Sequence, residues 1–226
     1  YILNADLKKS NWATYDTNLD EWTKMYLGEK PNDGLALSSN KLYSKYGSRY
    51  TFSTDAPLIN IARPSIEFLL DSIKGNQHWY KIKITPNRAV NRYDLFLKNN
   101  IQINGFIANG VKSIDYNSNI SSKTSRKLIT YYVVDNIPLE MEFSINAKQK
   151  LDLELLESSF DLLSNPLLKV TPRKSLMIPI PFVLNNAVII KQKVKASLRV
   201  SNEKPTYKRY FTRTDTLKVA VDILKR

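Results

Sequence analysis

Histidine is where a search for chemistry begins, because imidazole titrates near neutrality and is the commonest side-chain nitrogen ligand for metals. The 226-residue chain holds one histidine, His78, and no cysteine. A metal site could therefore be built only from one imidazole plus carboxylates, and none of the usual zinc spacings is present. A two-zinc peptidase centre takes a histidine on each metal, which this chain cannot supply. His78 stands beside Trp79 at the opening of a predicted strand, and no G-x-S-x-G elbow occurs, so a structural histidine is favoured over a triad member. The six glycines form neither a Walker loop nor a dinucleotide fingerprint.

Three further patterns carry chemistry. Glu140 and Glu142 lie two apart on a predicted strand and so share a face; two carboxylates are all that glycoside hydrolysis requires. The competing reading is a solvated acidic face, which the net charge of −4 over Leu128–Glu157 favours. In Pro86-Asn87-Arg88-Ala89-Val90-Asn91-Arg92, two arginines stand four apart. A strand would project Arg88 and Arg92 from one face, placed with Asn91 to clamp a carboxylate of a partner, or else to bridge strands structurally. Finally, Ile178-Pro179-Ile180-Pro181-Phe182-Val183-Leu184-Asn185 is an apolar run stiffened by proline. Proline lacks the donor that a central ladder needs, so Pro181 and Phe182 belong to an edge or to a crossover between sheets, and they are candidate interface residues.

The elements that must position these groups are mostly strands. One helix is expected over Leu19–Leu27, capped at Thr17 or Asn18 and ended by Gly28, with Leu19, Trp22, Met25 and Tyr26 on its apolar face. A loop is expected from Pro31 to Asn40. Ile66–Ile73, a Gly75-Asn76 turn and His78–Thr85 read as a hairpin, with Tyr80, Ile82 and Ile84 on one side and Lys81 and Lys83 on the other. Further strands are predicted at Asn11–Asp16, Tyr50–Thr54, Val90–Leu97, Ile101–Ile107, Lys127–Val134, Leu139–Ile145, Leu151–Ser159, Ala187–Leu198 and Leu217–Leu224. About ten short strands with almost no helix between them imply a mainly β chain. The expected architecture is a single antiparallel β-sandwich domain over residues 1–226, jelly-roll or Ig-like, with one short N-terminal helix.

Composition agrees with a packed β core: 42% of residues are hydrophobic, and 13 are tyrosine. The net charge of +13 raises the question of nucleic acid. It is spread thinly, at +7 over Arg63–Lys127 and +5 over each of Ser158–Lys195 and Ala196–Arg226, with no basic run longer than two. No nucleic-acid motif accompanies it, so no nucleic-acid partner is expected. A basic surface near anionic lipid headgroups is the alternative, at about 1 kcal/mol for each nearby cation.

Several motifs together resemble a known family. Trp12-Ala13-Thr14-Tyr15-Asp16, Leu19-Asp20-Glu21-Trp22-Thr23, Ser44-Lys45-Tyr46-Gly47-Ser48, Ala56-Pro57, Pro86-x-Arg88-x-Val90-Asn91-Arg92 and Pro181-Phe182-Val183-Leu184-Asn185 appear in the order found at the C-terminus of bacterial membrane-anchored zinc metallopeptidases of family twenty-eight. That group is similar to the endoplasmic-reticulum metallopeptidase and vacuolar membrane protease. The resemblance implies that this chain is the C-terminal β-rich accessory module of a longer aminopeptidase, tethered on the periplasmic or extracytoplasmic side through the parent's transmembrane helices. It implies two zinc ions in the parent's catalytic domain and no cofactor in this chain. Its partners would be the catalytic domain and the transmembrane region, and its task assembly, stability or substrate presentation. No catalytic residue of the family maps onto a position here. The rival expectation is an independent carbohydrate- or peptide-binding sandwich.

Overall fold

The structure, a computed structural model, describes residues 1–39, 48–97, 101–113 and 126–195. The predicted strand Leu217–Leu224 lies outside the described residues. The chain is mainly β, with 45% strand and 7% helix. In chain order the elements are β1 (Ile2–Asn4), β2 (Lys9–Thr14), helix α1 (Glu21–Leu27), β3 (Asn32–Asp33), β4 (Phe52–Asp55), β5 (Ser65–Lys74) and β6 (Gln77–Thr85). There follow β7 (Arg92–Leu97), β8 (Asn104–Ala108), β9 (Val111–Lys112), β10 (Arg126–Tyr132), β11 (Leu139–Asn146), β12 (Leu153–Ser159) and β13 (Val188–Val194). No described helix is long and apolar enough to cross a membrane.

The strands form two sheets, one of eight in the order β10-β7-β12-β13-β1-β2-β4-β3 and one of five in the order β5-β6-β11-β8-β9. Neighbours are antiparallel except β1 and β13, which run parallel. Alternation along the strands sends Tyr80, Ile82 and Ile84 of β6 and Leu139, Met141, Phe143 and Ile145 of β11 into one apolar core. Tyr93, Leu95 and Leu97 of β7 and Leu153 and Leu155 of β12 meet them there. This is the antiparallel sandwich that the strand pattern implied. Its outer face on the five-stranded sheet carries Lys81 opposite Glu142 and Lys83 opposite Glu140.

Hairpin β5–β6 turns at Gly75-Asn76, as expected. Gly75 has φ 58°, the left-handed backbone that the first position of a II′ turn demands. A bulge between Phe68 and Leu70 then turns the rest of β5 over, so Ile66 and Phe68 face the core while Leu70 pairs with Lys81 on the outside.

The eight-stranded sheet continues past the sandwich, and its second part carries its own core of Tyr1, Leu3, Trp22, Ile61, Leu162, Leu168, Val170, Val188 and Ile190. Helix α1 lies here. Its cap is Asp20, whose Oδ1 accepts from the Thr23 backbone N–H at 2.7 Å, and not Thr17 or Asn18, so Leu19 falls outside the helix. Gly28 ends it as expected. Trp22, Thr23 and Leu27 are buried while Met25 is 63% exposed. With roughly 100° between residues, a stripe through Trp22, Tyr26, Thr23 and Leu27 leaves Met25 on the solvent side. The loop expected from Pro31 to Asn40 holds β3 and a 3-10 turn at Gly34–Ser39, where Asp33 Oδ1 accepts from the Leu35 N–H at 2.7 Å.

Leu155 is fully buried between the sheets, whereas Leu176 is 92% exposed. Leu155→Ala is expected to cost about 2–5 kcal/mol in urea denaturation, and Leu176→Ala less than about 0.5 kcal/mol.

Candidate functional site

The connection from β6 to β7 carries the chain from one sheet to the other, and Arg88 sits in it. Its Nε donates to Glu157 Oε1 at 2.9 Å, its Nη1 donates to Ser159 Oγ, and Asp161 Oδ1 is 3.9 Å from Nη1. Glu157 has no exposed side chain. It faces Tyr93 across β7–β12, on the side of the sheet that holds the sandwich core. Burial pushes the Glu157 pKa up to about 7, opposed by Arg88. Asn91 is consumed by the backbone: its Oδ1 accepts from the Phe160 N–H at 2.9 Å, and its own N–H donates to Ser158.

Arg92 begins β7 and points to the other side of the sheet. Its Nη2 donates to Asp94 Oδ1 at 2.8 Å, and the same oxygen accepts from Thr130 Oγ1 at 2.6 Å and lies 3.0 Å from Lys127 Nζ. The expectation that Arg88 and Arg92 share one strand face is thus corrected. The strand starts only at Arg92, so alternation does not extend back to Arg88, and the two guanidinium groups serve different carboxylates on opposite faces.

Pro181 and Phe182 are exposed and lie in a turn, with Phe182 at φ 63°. The segment is not a crossover between sheets. It belongs to the long connection that leaves β12 at Ser159 and returns at Val188 of β13, its neighbour in the same sheet. Within it Leu162, Leu168, Val170 and Met177 turn inward onto the second core. Leu176 and Ile178 are 92% and 87% exposed, and Phe182 is 49% exposed.

This connection closes a cavity of about 80 Å³ against the end of β2 and helix α1. Trp12, Tyr15, Trp22, Tyr26 and Tyr50 line it, together with Asp16, Arg173, Pro179 and Asn186. Rings of Tyr1, Trp12, Tyr26 and Trp22 follow one another at centroid separations of 5.2 Å. Two bonds tie the wall together: Trp22 Nε1 donates to the Thr171 carbonyl at 2.7 Å, and the Thr171 N–H donates to Tyr26 Oη at 2.7 Å. Burial raises the pKa of both Tyr15 and Tyr50, so these phenols keep their protons.

The remaining sequence candidates sit elsewhere. Glu142 Oε1 is 2.5 Å from Lys81 Nζ and Glu140 Oε1 is 3.4 Å from Lys83 Nζ, forming a cross-strand charge ladder on the solvated face. His78 Nε2 is 2.5 Å from Asp71 Oδ1, and its Nδ1 is 3.0 Å from the Tyr80 hydroxyl, over whose ring it stacks. Burial, with Asp71 adding, pushes Tyr80 up to about 12, so its hydroxyl keeps its proton and is no nucleophile near neutrality. No group of three or more His, Cys, Asp or Glu side chains that could hold a metal ion occurs among the described residues. On β13, Lys191 Nζ is 3.2 Å from Glu154 of β12, and Lys193 Nζ is 3.9 Å from Asp152 just before that strand. Sequence reasoning missed Arg173 and its cavity, although the crowding of aromatics between Trp12 and Tyr26 was a visible signal.

Comparison with protein-family models, with curated proteins and with solved structures returns no match.

Above about pH 7, where folded Glu157 is charged, Arg88→Ala would leave it buried without its cation and is expected to cost about 3–5 kcal/mol, with part of the loss recovered in Arg88→Ala/Glu157→Gln. A pH dependence accompanies this pair. Between the ordinary 4.5 and about 7, folded Glu157 holds a proton that the unfolded chain has released, so its contribution is complete below 4.5 and falls as pH rises through about 7. The loss is on the order of 3 kcal/mol. Urea denaturation from about pH 5 to about pH 8 should show this downward slope in the native sequence and its disappearance in Glu157→Gln.

Proposed function

We propose that this chain is a non-catalytic accessory module of a membrane-anchored zinc aminopeptidase, held on the extracytoplasmic side of the membrane. It docks on the parent's catalytic domain or transmembrane region through the exposed apolar segment Leu176–Phe182. The observation that supports docking is that segment: Leu176 and Ile178 present almost their whole side chains to solvent, in the same stretch as Pro181 and Phe182. Large apolar side chains exposed together in one stretch are characteristic of an interaction site.

The absence of catalysis in this reading rests on how the chemical groups are used. Arg88, Arg92, His78, Glu140 and Glu142 each meet an oppositely charged or hydrogen-bonding partner within the chain. The described residues do not offer a donor set for zinc, so no hydrolytic step is derived through a metal here. The two zinc ions of this proposal belong to another part of the parent. Anionic lipid headgroups are a further partner, through the basic surface that a net charge of +13 implies.

A second reading, a module that captures a small ligand, is favoured by the aromatic cavity beside Arg173.

The docking reading is tested by mixing the purified chain with the peptidase portion of such a parent. Leu176→Ser/Ile178→Ser/Phe182→Ser is expected to weaken association at least tenfold with the chain still folded. Deletion of the module from the parent should lower its thermal stability or its turnover of aminoacyl substrates. Unchanged association, stability and turnover would sink the proposal.

A further inference from the structure

Among the side chains that line the cavity beside α1 are one cation, Arg173, and one anion, Asp16, and neither forms an ion pair with another of the described residues. Arg173 comes from the β12–β13 connection. Its guanidinium lies 4.0 Å over the Trp22 ring, and its Nη1 donates to Asn186 Oδ1, a neutral acceptor. Asp16 follows β2; its Oδ2 accepts from Thr14 Oγ1 at 2.7 Å, again a neutral partner. The two side chains line the same space.

Desolvation disfavours the charged form of the half-buried guanidinium. Burial lowers the Arg173 pKa, and Asp16 acts first among the groups that oppose that shift, so the two charges feel one another without touching. A guanidinium is a planar fork suited to a carboxylate, and a carboxylate accepts readily from an ammonium group. Trp12 and Tyr26 line the same space and offer apolar ring surface.

We propose that this cavity binds a free α-amino acid with an apolar side chain. Arg173 receives its carboxylate, Asp16 its ammonium group, and the walls of Trp12 and Tyr26 its side chain. The size of the space, about 80 Å³, is too small for an oligosaccharide. The ring arrangement agrees, because these aromatics pack on one another at tilted and edge-on angles and do not present a flat platform for a sugar face. This assignment stands apart from the docking role, and neither requires the other.

The test is calorimetric titration of the full 226-residue chain with L-leucine, N-acetyl-L-leucine, L-leucinamide, N-acetyl-L-leucinamide and D-glucose. L-leucine is expected to bind and to raise the melting temperature, with at least tenfold weaker binding when either end is capped. The doubly capped compound and glucose should give no heat. Because the caps change only the ligand, this comparison does not depend on any variant folding. Asp16→Asn should abolish the distinction between L-leucine and N-acetyl-L-leucine, and Arg173→Gln that between L-leucine and L-leucinamide. Binding of N-acetyl-L-leucinamide as tight as that of L-leucine, binding of glucose alone, or no binding of L-leucine at millimolar concentration would each overturn the proposal.

Discussion

Strands β7 and β12 are buried along their whole length on both faces, yet between them they carry Asp94, Glu154 and Glu157. Removing a carboxylate from water costs several kcal/mol, and the cost is recovered only when a well-placed cation and hydrogen bonds replace the lost water. Each acid is answered. Asp94 has Arg92 and Lys127, Glu154 has Lys191, and Glu157 has Arg88. Lys127 and Lys191 keep 34% and 25% of their side-chain surface exposed, so their stems lie along the sheet while their heads stay partly hydrated. The register of the central strands is thereby tied to charge as well as to apolar pattern. A slip of one residue would carry Glu157 away from Arg88 and place Leu155 on the wrong face.

That requirement explains where sequence reasoning reached and where it stopped. Hairpin β5–β6 and the inward set Tyr80, Ile82 and Ile84 were legible because turn and alternation are local signals, contained within a few residues. The Glu140 and Glu142 face was legible for the same reason. That Arg88 bridges strands was one of the two readings its sequence context offered, but its partner was not legible, since Glu157 stands 69 positions away and reads as part of the same acidic stretch as the solvated pair. Composition cannot separate an acid on a charge ladder from an acid sealed inside a sheet. Helix α1 was found, but its face was misjudged at Met25, because only seven residues are helical and the stripe depends on the true starting point.

The aromatic cavity shows the same division between local and distant information. Trp22 and Tyr26 are close in sequence, and their place on one apolar helix face was visible. What converts them from a core patch into a walled cavity is the return of the chain at Thr171, about 150 positions later, through its bonds to Trp22 and Tyr26. Long connections between adjacent strands leave little trace in periodicity, because they obey neither the strand nor the helix repeat.

The β12–β13 connection therefore does two things with one backbone. Met177 packs on the second core and Pro179 lines the cavity, while Leu176 and Ile178, alternating with them, stand out in solvent. The cavity wall and the exposed apolar side chains belong to the same stretch, and Arg173 enters the cavity just before it. Any partner seated on Leu176 and Ile178 consequently touches that same stretch. The hairpin β5–β6, with its own exposed Leu69, Leu70, Ile73 and Trp79, contributes no residue to the cavity lining. A partner bound there would leave the Arg173 and Asp16 charges undisturbed. Position in the fold, more than apolar area, is what distinguishes the two surfaces.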